Sequence, residues 1–346
     1  MSYQREFEKR IPVAVIGAGS HSIRNLLPVM NYLPVRLAAV CDIDARTARL
    51  SATQYGCDFY ASTEALYKSG LDIQAVFICV GPKLHPVLVK EALDAGCHVW
   101  VEKPLAVRAK HVEELIQVRG SRVVVVGLKK AFMPAAVKAK EIVASAKYGG
   151  LQSILAVYHM SLPQDGHRVL EEEQITNWLG NGVHPLAFLS EIGGRVDEVL
   201  AYTNSEGFGA VMLKFANGIM GTLHLSSGPP PDVERYDLFA KTWEMSITNH
   251  QIELRRGLPS FKYGRTTTFA PEGEDSGILT WRAENCVATL ENKALFTQGI
   301  YNECRHFCDC ILEEKSPETG SLEQALEVMK IYEAALVSKG KPVKLR

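Results

Sequence analysis

A chain of 346 residues, 47% hydrophobic and 22% charged, is long for one core and reads as two domains of an ordinary globular protein. Its formal net charge of -1 supports neither nucleic acid nor an anionic membrane as the main partner, which leaves a small-molecule binder or enzyme. Residues 1–10 are polar with no apolar signal core, and no later run approaches about eighteen apolar residues, so a cytoplasmic location without a membrane span is expected.

The first half alternates apolar runs with helical patterns. Residues 13–16 end at Gly17-Ala18-Gly19, a helically spaced stretch follows, and 35–41 end at Asp42, which together make a βαβ unit. The alternation continues through a strand at 75–80, a helix at 84–95, a strand at 99–101, a helix at 109–119 and a strand at 123–126. Unbroken β-branched runs are the signature of buried parallel strands, and right-handed crossovers then give an α/β domain with an open, doubly wound parallel sheet over 1–127.

In such a sheet Gly17 and Gly19 allow a tight turn and close approach to a pyrophosphate, with free N–H groups at the next helix start facing the phosphate charge. Ser22 occupies the third glycine position of G-x-G-x-x-G, so the helix is expected to stand slightly off the strand. Asp42, about 20 residues farther on, is placed to accept hydrogen bonds from an adenosine ribose and to repel a 2'-phosphate, favouring NAD with NADP as the alternative. Arg46 and Arg49 lie near it and read equally as an exposed helix face. Val80-Gly81-Pro82 forms the turn after the next strand, and His85 begins a helix where it either touches the far half of a dinucleotide or bonds to local backbone.

Val99-Trp100-Val101-Glu102-Lys103-Pro104 is an apolar strand that stops on an acid, an ammonium and a proline. It can hold Lys103 at the lip of the sheet where cofactor and substrate meet. Past Gly127 the character changes. A helical stretch runs from Phe132-Met133-Pro134 to about Lys147, and strands are expected at 151–160, 196–202, 209–215, 219–225, 236–241, 244–248 and 251–255. Asn217-Gly218 is a hairpin signal. Close strands without intervening helices predict an α+β domain over 128–346 with a large, mostly antiparallel sheet, one face covered by helices. Pro229-Pro230-Pro231 and residues 271–275 read as loops, and Glu171-Glu172-Glu173 as a solvated helix start.

Among the eight cysteines, Cys304, Cys308 and their neighbours Phe307 and Ile311 fall at helical spacing, which argues for core packing; no second ligand pair stands at a zinc spacing, so no metal is expected.

The ordered set Gly17-Ala18-Gly19, Asp42, Pro82 with His85, Ala95-Gly96-Cys97-His98-Val99, Glu102-Lys103-Pro104-Leu105-Ala106 and Val126-Gly127 resembles the Gfo/Idh/MocA oxidoreductases. Residues 302–312 with Pro317, and 325–343, resemble later segments of that family. The resemblance implies an N-terminal Rossmann domain that holds a nicotinamide cofactor through Gly17, Gly19, Ser20, His21, Asp42, Ile43, Val80, Gly81, Pro82, His85 and Glu102. It also implies a sugar, inositol or related polyol substrate near Lys129, Asn177 and Asn181, and a homodimer or homotetramer built through the second sheet.

The family's lysine of the Glu-Lys-Pro block sits beside the substrate hydroxyl, and that role is carried to Lys103. Burial and a positive nicotinamide both weaken an ammonium's hold on its proton, which suits exchange with a hydroxyl as hydride leaves carbon. His184 falls on the histidine of the family's Asp-x-Gly-x-His segment and is the second catalytic candidate. The aspartate does not survive: Gly180 stands in its place, and Ala187 occupies a position often acidic in relatives. Asn177 or Asn181 is left as a neutral partner for the ring. The expected activity is hydride transfer between nicotinamide and a polyol or ketone. An NAD-binding sugar sensor without turnover, and a lyase or hydrolase with transient NAD oxidation, remain as alternatives.

Overall fold

The computed structural model describes residues 7–228, 234–257, 276–283 and 293–345. The proline run at 229–231 and the loop expected at 271–275 lie outside the described residues.

Strands β1 (Ile11–Ile16), β2 (Val35–Cys41), β3 (Asp58–Tyr60), β4 (Ala75–Ile78), β5 (His98–Glu102) and β6 (Val124–Gly127) form one parallel sheet in the order β3-β2-β1-β4-β5-β6. All of β1, β4 and β6 is buried, as expected of strands covered on both faces. The first crossover is a composite helix: a π turn at Ser22–Leu26, α1 (Leu27–Val29) and a 3-10 turn at Met30–Tyr32. It opens as the wider π turn at Ser22, where the glycine motif has lost its third glycine. The other crossovers carry α2 (Ala45–Tyr55), α3 (Thr63–Tyr67), α4 (His85–Asp94) and α5 (Ala109–Val118). Side chains of Asp44 and Ser62 accept from Arg46 and Ala65 backbone N–H groups and so start α2 and α3. Strand order reverses between β1 and β4, and a crevice for a ligand opens at the carboxyl ends of such strands.

After β6 come α6 (Lys129–Phe132) and α7 (Pro134–Ala144), with Pro134 at the first helical position, where its missing N–H costs nothing. The second sheet contains β7 (Leu151–His159), β8 (Val196–Thr203), β9 (Gly209–Phe215), β10 (Met220–Ser226), β11 (Arg235–Ala240), β12 (Trp243–Thr248), β13 (Gln251–Arg256), β14 (Gly277–Arg282) and β15 (Val343–Lys344). Its order is β14-β13-β12-β11-β7-β10-β9-β8-β15, and every pairing is antiparallel except β7 with β10. Asn217-Gly218 closes the β9–β10 hairpin, with Gly218 at φ +88°, a conformation glycine adopts without cost.

The remaining helices are α8 (Gly166–Glu171), α9 (Val183–Gly193), α10 (Lys293–Thr297), α11 (Ile300–Leu312) and α12 (Leu322–Ser338). α7, α9 and α12 cover one face of the second sheet. The acidic triplet at 171–173 ends α8 rather than starting a helix. Asp165 accepts from Arg168 N at the true start, and Arg168 pairs with Glu172 one turn along at 2.9 Å.

The sheets divide at Gly127, but the helical layer does not. α11 packs on β5 and β6, and its buried stripe of Cys304, Phe307 and Cys308 enters the core of the first sheet. Phe307 meets Phe77 edge-on with ring centroids 5.3 Å apart, and Phe77 meets Trp100 at 5.7 Å. The cysteines are therefore core groups, and among the described residues no three His, Cys, Asp or Glu side chains gather as a metal site. None of the described helices is long and apolar enough to cross a membrane.

Replacing the fully buried Phe307 by alanine is expected to cost about 3–5 kcal/mol of stability, read from denaturant midpoints. A loss below about 1 kcal/mol would show that α11 is not integral to the first core.

Candidate active site

At the end of β1 the backbone of Gly17 has φ +94°, and a Cβ there would lie 2.2 Å from the Cys79 carbonyl oxygen and 2.7 Å from a Val80 methyl. Only glycine fits this approach of β1 to the turn after β4. Around Gly19 there is open space, as a ligand needs for close access to backbone. The Asp42 carboxylate accepts from Ala18 N at 2.8 Å and Asp44 N at 2.9 Å, which fixes it beside the glycine turn. Each of its oxygens retains a second acceptor site for a ribose hydroxyl. Ile43, the next residue, is 93% exposed, an apolar side chain with nothing from the protein to cover it and suited to lie against an adenine ring. These residues fit the adenosine end of a dinucleotide. Ser20 accepts from Arg24 Nε at 3.0 Å at the mouth of the same turn, and the Arg49 guanidinium lies over the Phe59 ring at 5.0 Å. Gly81 caps the turn into α4, where Leu84 N donates to its carbonyl, and Pro82 follows it.

His85 resolves into a backbone contact. Its ring is fully buried, and Nδ1 lies 2.8 Å from the Pro104 carbonyl oxygen. A carbonyl only accepts, so Nδ1 carries the proton and Nε2 is left a bare acceptor without a hydrogen-bond partner. His85 thus clamps the backbone next to Lys103. Burial lowers its pKa from 6.5 to about 4.

The end of β5 gathers charge. Lys103 Nζ donates to the Gly180 carbonyl at 2.9 Å and stands 3.9 Å from Glu102 Oε1, while Glu102 Oε2 is 3.8 Å from His21 Nε2. Lys103 and Glu102 are both largely buried. Burial pushes the Glu102 carboxyl up to about 7 against the pull of Lys103 and Lys129. Burial and the neighbouring Lys129, Lys103 and Arg24 charges hold His21 down at about 4. Lys129 is lowered by burial and by Lys130, and donates to Gln298 Oε1 at 3.3 Å.

His184, in the first turn of α9, is buried and held well below its ordinary pKa by burial and by Lys103, Lys129, Lys130 and His21. It is a neutral imidazole in the field of three ammonium groups. Gly180, where the family motif has its acid, instead offers its carbonyl to Lys103, and no atom lies within 4 Å of where its Cβ would be. Asn181 and Asn177 are bonded to each other across one turn. Both line a cavity of about 490 Å³ with Lys130, Tyr158, His159, Glu234, Asn249 and Gln298.

Sequence reasoning missed Lys130, Glu234 and Glu303. Lys130 pairs with Glu234, which also accepts from the Tyr236 hydroxyl, an arrangement joining α6 to β11 that only the folded chain creates. Glu303 did leave a signal: an acid one helical turn before Phe307, on the apolar stripe of α11.

An unfolded histidine binds a proton near pH 6.5, whereas His85 and His184 stay neutral in the fold. The unfolded state then holds more protons, and stability falls as pH drops, for His85 from about 6.5 to about 4. Each such histidine contributes a slope of up to about 1.4 kcal/mol per pH unit. Substituting His85 by glutamine is expected to flatten the slope in urea melts between these limits; an unchanged slope would contradict its buried neutral state.

The sequence model of the Gfo/Idh/MocA oxidoreductases, an oxidoreductase family with an NAD-binding Rossmann fold, matches residues 11–130. A 1-carboxy-3-chloro-3,4-dihydroxycyclohexa-1,5-diene dehydrogenase of Comamonas testosteroni is 28% identical over 62% of this chain and 57% of its own length. An inositol 2-dehydrogenase of Burkholderia multivorans is 30% identical over 40% of this chain and 43% of its own. The chain thus spans about half the length of these curated relatives. Among solved structures, GenD2 from gentamicin A biosynthesis in complex with NAD superposes with a TM-score of 0.75 at 20% identity, covering 100% of this chain and 99% of that one. Levoglucosan dehydrogenase in complex with NADH and levoglucosan gives 0.78 at 15% identity over 97% and 99%. The likeness in fold extends over both sheets, while the match to the family's sequence model is confined to residues 11–130, the part that carries the first sheet.

Proposed function

We propose that this chain is an NAD-dependent dehydrogenase or reductase that acts on a CH–OH group of a sugar, inositol or related polyol, or on the matching ketone. The reading rests above all on Lys103, whose ammonium stands at the carboxyl end of β5 beside Glu102 and reaches Gly180, next to Asn181 of the cavity wall. The named activities of the Burkholderia inositol 2-dehydrogenase and of levoglucosan dehydrogenase support the substrate class.

When bound, the nicotinamide supplies the hydride acceptor or donor. The chain's own residues handle position and proton. Gly17, Gly19, Ser20 and His21 border the phosphate turn, and Asp42 with Ile43 receives the adenosine end. Val80, Gly81 and Pro82 form the opposite lip. Lys103 takes the hydroxyl proton during oxidation and returns it during reduction, with Glu102 as its counter-charge. His184, neutral and surrounded by cations, offers a lone pair that fixes the substrate hydroxyl. Asn177, Asn181 and Lys129 reach the remaining hydroxyls. His85 acts through the Pro104 carbonyl, holding the Lys103 backbone, and is a positioning residue.

NAD is the preferred cofactor because Asp42 would oppose a 2'-phosphate. The face of the second sheet turned away from the helices exposes Tyr202, Met220 and Phe239, and a homodimer or homotetramer would cover them. Light scattering is expected to give a dimer or tetramer mass, and a monomer at micromolar concentration would oppose that assembly.

With a panel of inositols, sugars and their keto forms, absorbance of reduced nicotinamide is expected to report turnover. Lys103→Ala should lower kcat by at least about 100-fold with little change in NAD affinity; wild-type turnover would remove Lys103 as the proton carrier. Asp42→Ala should narrow the ratio of NAD to NADP efficiency, and an unaltered ratio would remove Asp42 from the cofactor site.

A further inference from the structure

Glu303 is the most deeply buried acid among the described residues and has no part in the chemistry above. It sits in the first turn of α11 at 1% exposure, and its Oε2 has no hydrogen-bond partner. One turn farther along the same stripe, Phe307 packs on Phe77 and so fixes α11 against the sheet. Glu303 thereby faces the end of β5. The titratable groups around it are Glu102 of β5, Lys103 just after that strand, Lys129 of α6 and Cys304 on its own helix, with His21 on the far side of Glu102. Glu102 stands between Lys103 and His21, with its Oε2 in the space that a side chain at Gly127 would fill.

An ionised carboxylate buried without a hydrogen-bond partner for one oxygen is costly, and a second carboxylate nearby adds like-charge repulsion. Two acids here face two ammoniums, so the protonation of one acid decides the charge of the whole group.

We propose that Glu303 is an active-site positioning residue that keeps its proton at neutral pH, so that Lys103 and Lys129 are balanced by Glu102 alone. The group then carries at least one uncompensated positive charge toward the cofactor and substrate crevice. The inference deepens the proton-transfer reading above, but its test needs neither substrate nor cofactor, so failure of one is distinguishable from failure of the other.

The burial of Glu303 and the Glu102 charge both push its pKa well above the ordinary 4.5. In the full chain labelled with ¹³C at glutamate carboxyls, the Glu303 signal, assigned through Glu303→Gln, is expected to remain that of a protonated acid at pH 7. In Glu102→Gln, which removes the like charge, its midpoint is expected to fall by about one pH unit or more. An ionised Glu303 at pH 7, or a midpoint that does not respond to Glu102→Gln, would overturn the proposal.

Stability supplies an independent arm. A carboxyl whose folded pKa is raised is protonated in the fold and ionised in the unfolded chain above about 4.5, so its contribution is present at low pH and lost as pH rises. Glu303→Gln copies the neutral acid and escapes that loss. Its melting temperature relative to wild type is expected to climb by up to about 2 °C per pH unit between pH 5 and pH 8. A difference constant with pH would mean that Glu303 only fills space.

Discussion

The hydrogen bond from Lys103 Nζ to the Gly180 carbonyl, at 2.9 Å, is the contact on which the candidate site depends. It ties the residue that follows β5 to the π turn that leads into α9, and so joins the end of the first sheet to the wall of the cavity at Asn181. A buried ammonium has to be answered by acceptors. Here the answers are Glu102 at 3.9 Å and a backbone carbonyl, while His85 pins the Pro104 carbonyl on the next residue. The backbone on both sides of Lys103 is thus fixed before any ligand arrives, and preorganisation of this kind lets a proton carrier act without reorganising its surroundings.

Around that bond the charges fall into two groups. Lys130 is neutralised by Glu234, which in turn holds the Tyr236 hydroxyl. Lys103 and Lys129 are not neutralised so simply, because burial pushes Glu102 up to about 7 and raises Glu303 well above the ordinary carboxylate range. Burial, reinforced by the nearby cations, keeps His184 and His21 neutral. The absence of an acid at Gly180 fits this balance: the position meets Lys103 through a carbonyl dipole, and the neutral His184 has no counter-ion to require.

Much of this was legible in the sequence, and the limits have physical causes. The parallel strands were readable because burial on both faces demands continuous β-branched runs, and the second sheet because alternation and Asn217-Gly218 mark hairpins. β3 and β15 span three and two residues, too short for any periodicity, and β14 is nearly all exposed, so no pattern set it apart. The glycine turn and Asp42 were visible because a dinucleotide fold needs those residue types at that spacing. The role of His85 was open between ligand and backbone, since its partner Pro104 lies 19 residues away and only the fold brings them together. Gly180 was seen as a missing acid; that its carbonyl would replace one is a property of backbone direction, which residue identity does not encode. The acidic triplet at 171–173 misled because acids suit a helix start in general, whereas Asp165 had already taken that position.

The function proposed for the crevice beside Lys103 is hydride transfer between a polyol carbon and a nicotinamide. Incubation with NAD and a panel of inositols and sugars deuterated at their carbinol carbons, followed by mass spectrometry of the nicotinamide, tests it most directly. The account predicts reduced nicotinamide carrying one deuterium from the substrate carbon. Tight NAD binding with no deuterium transferred to the nicotinamide from any member of the panel would contradict it.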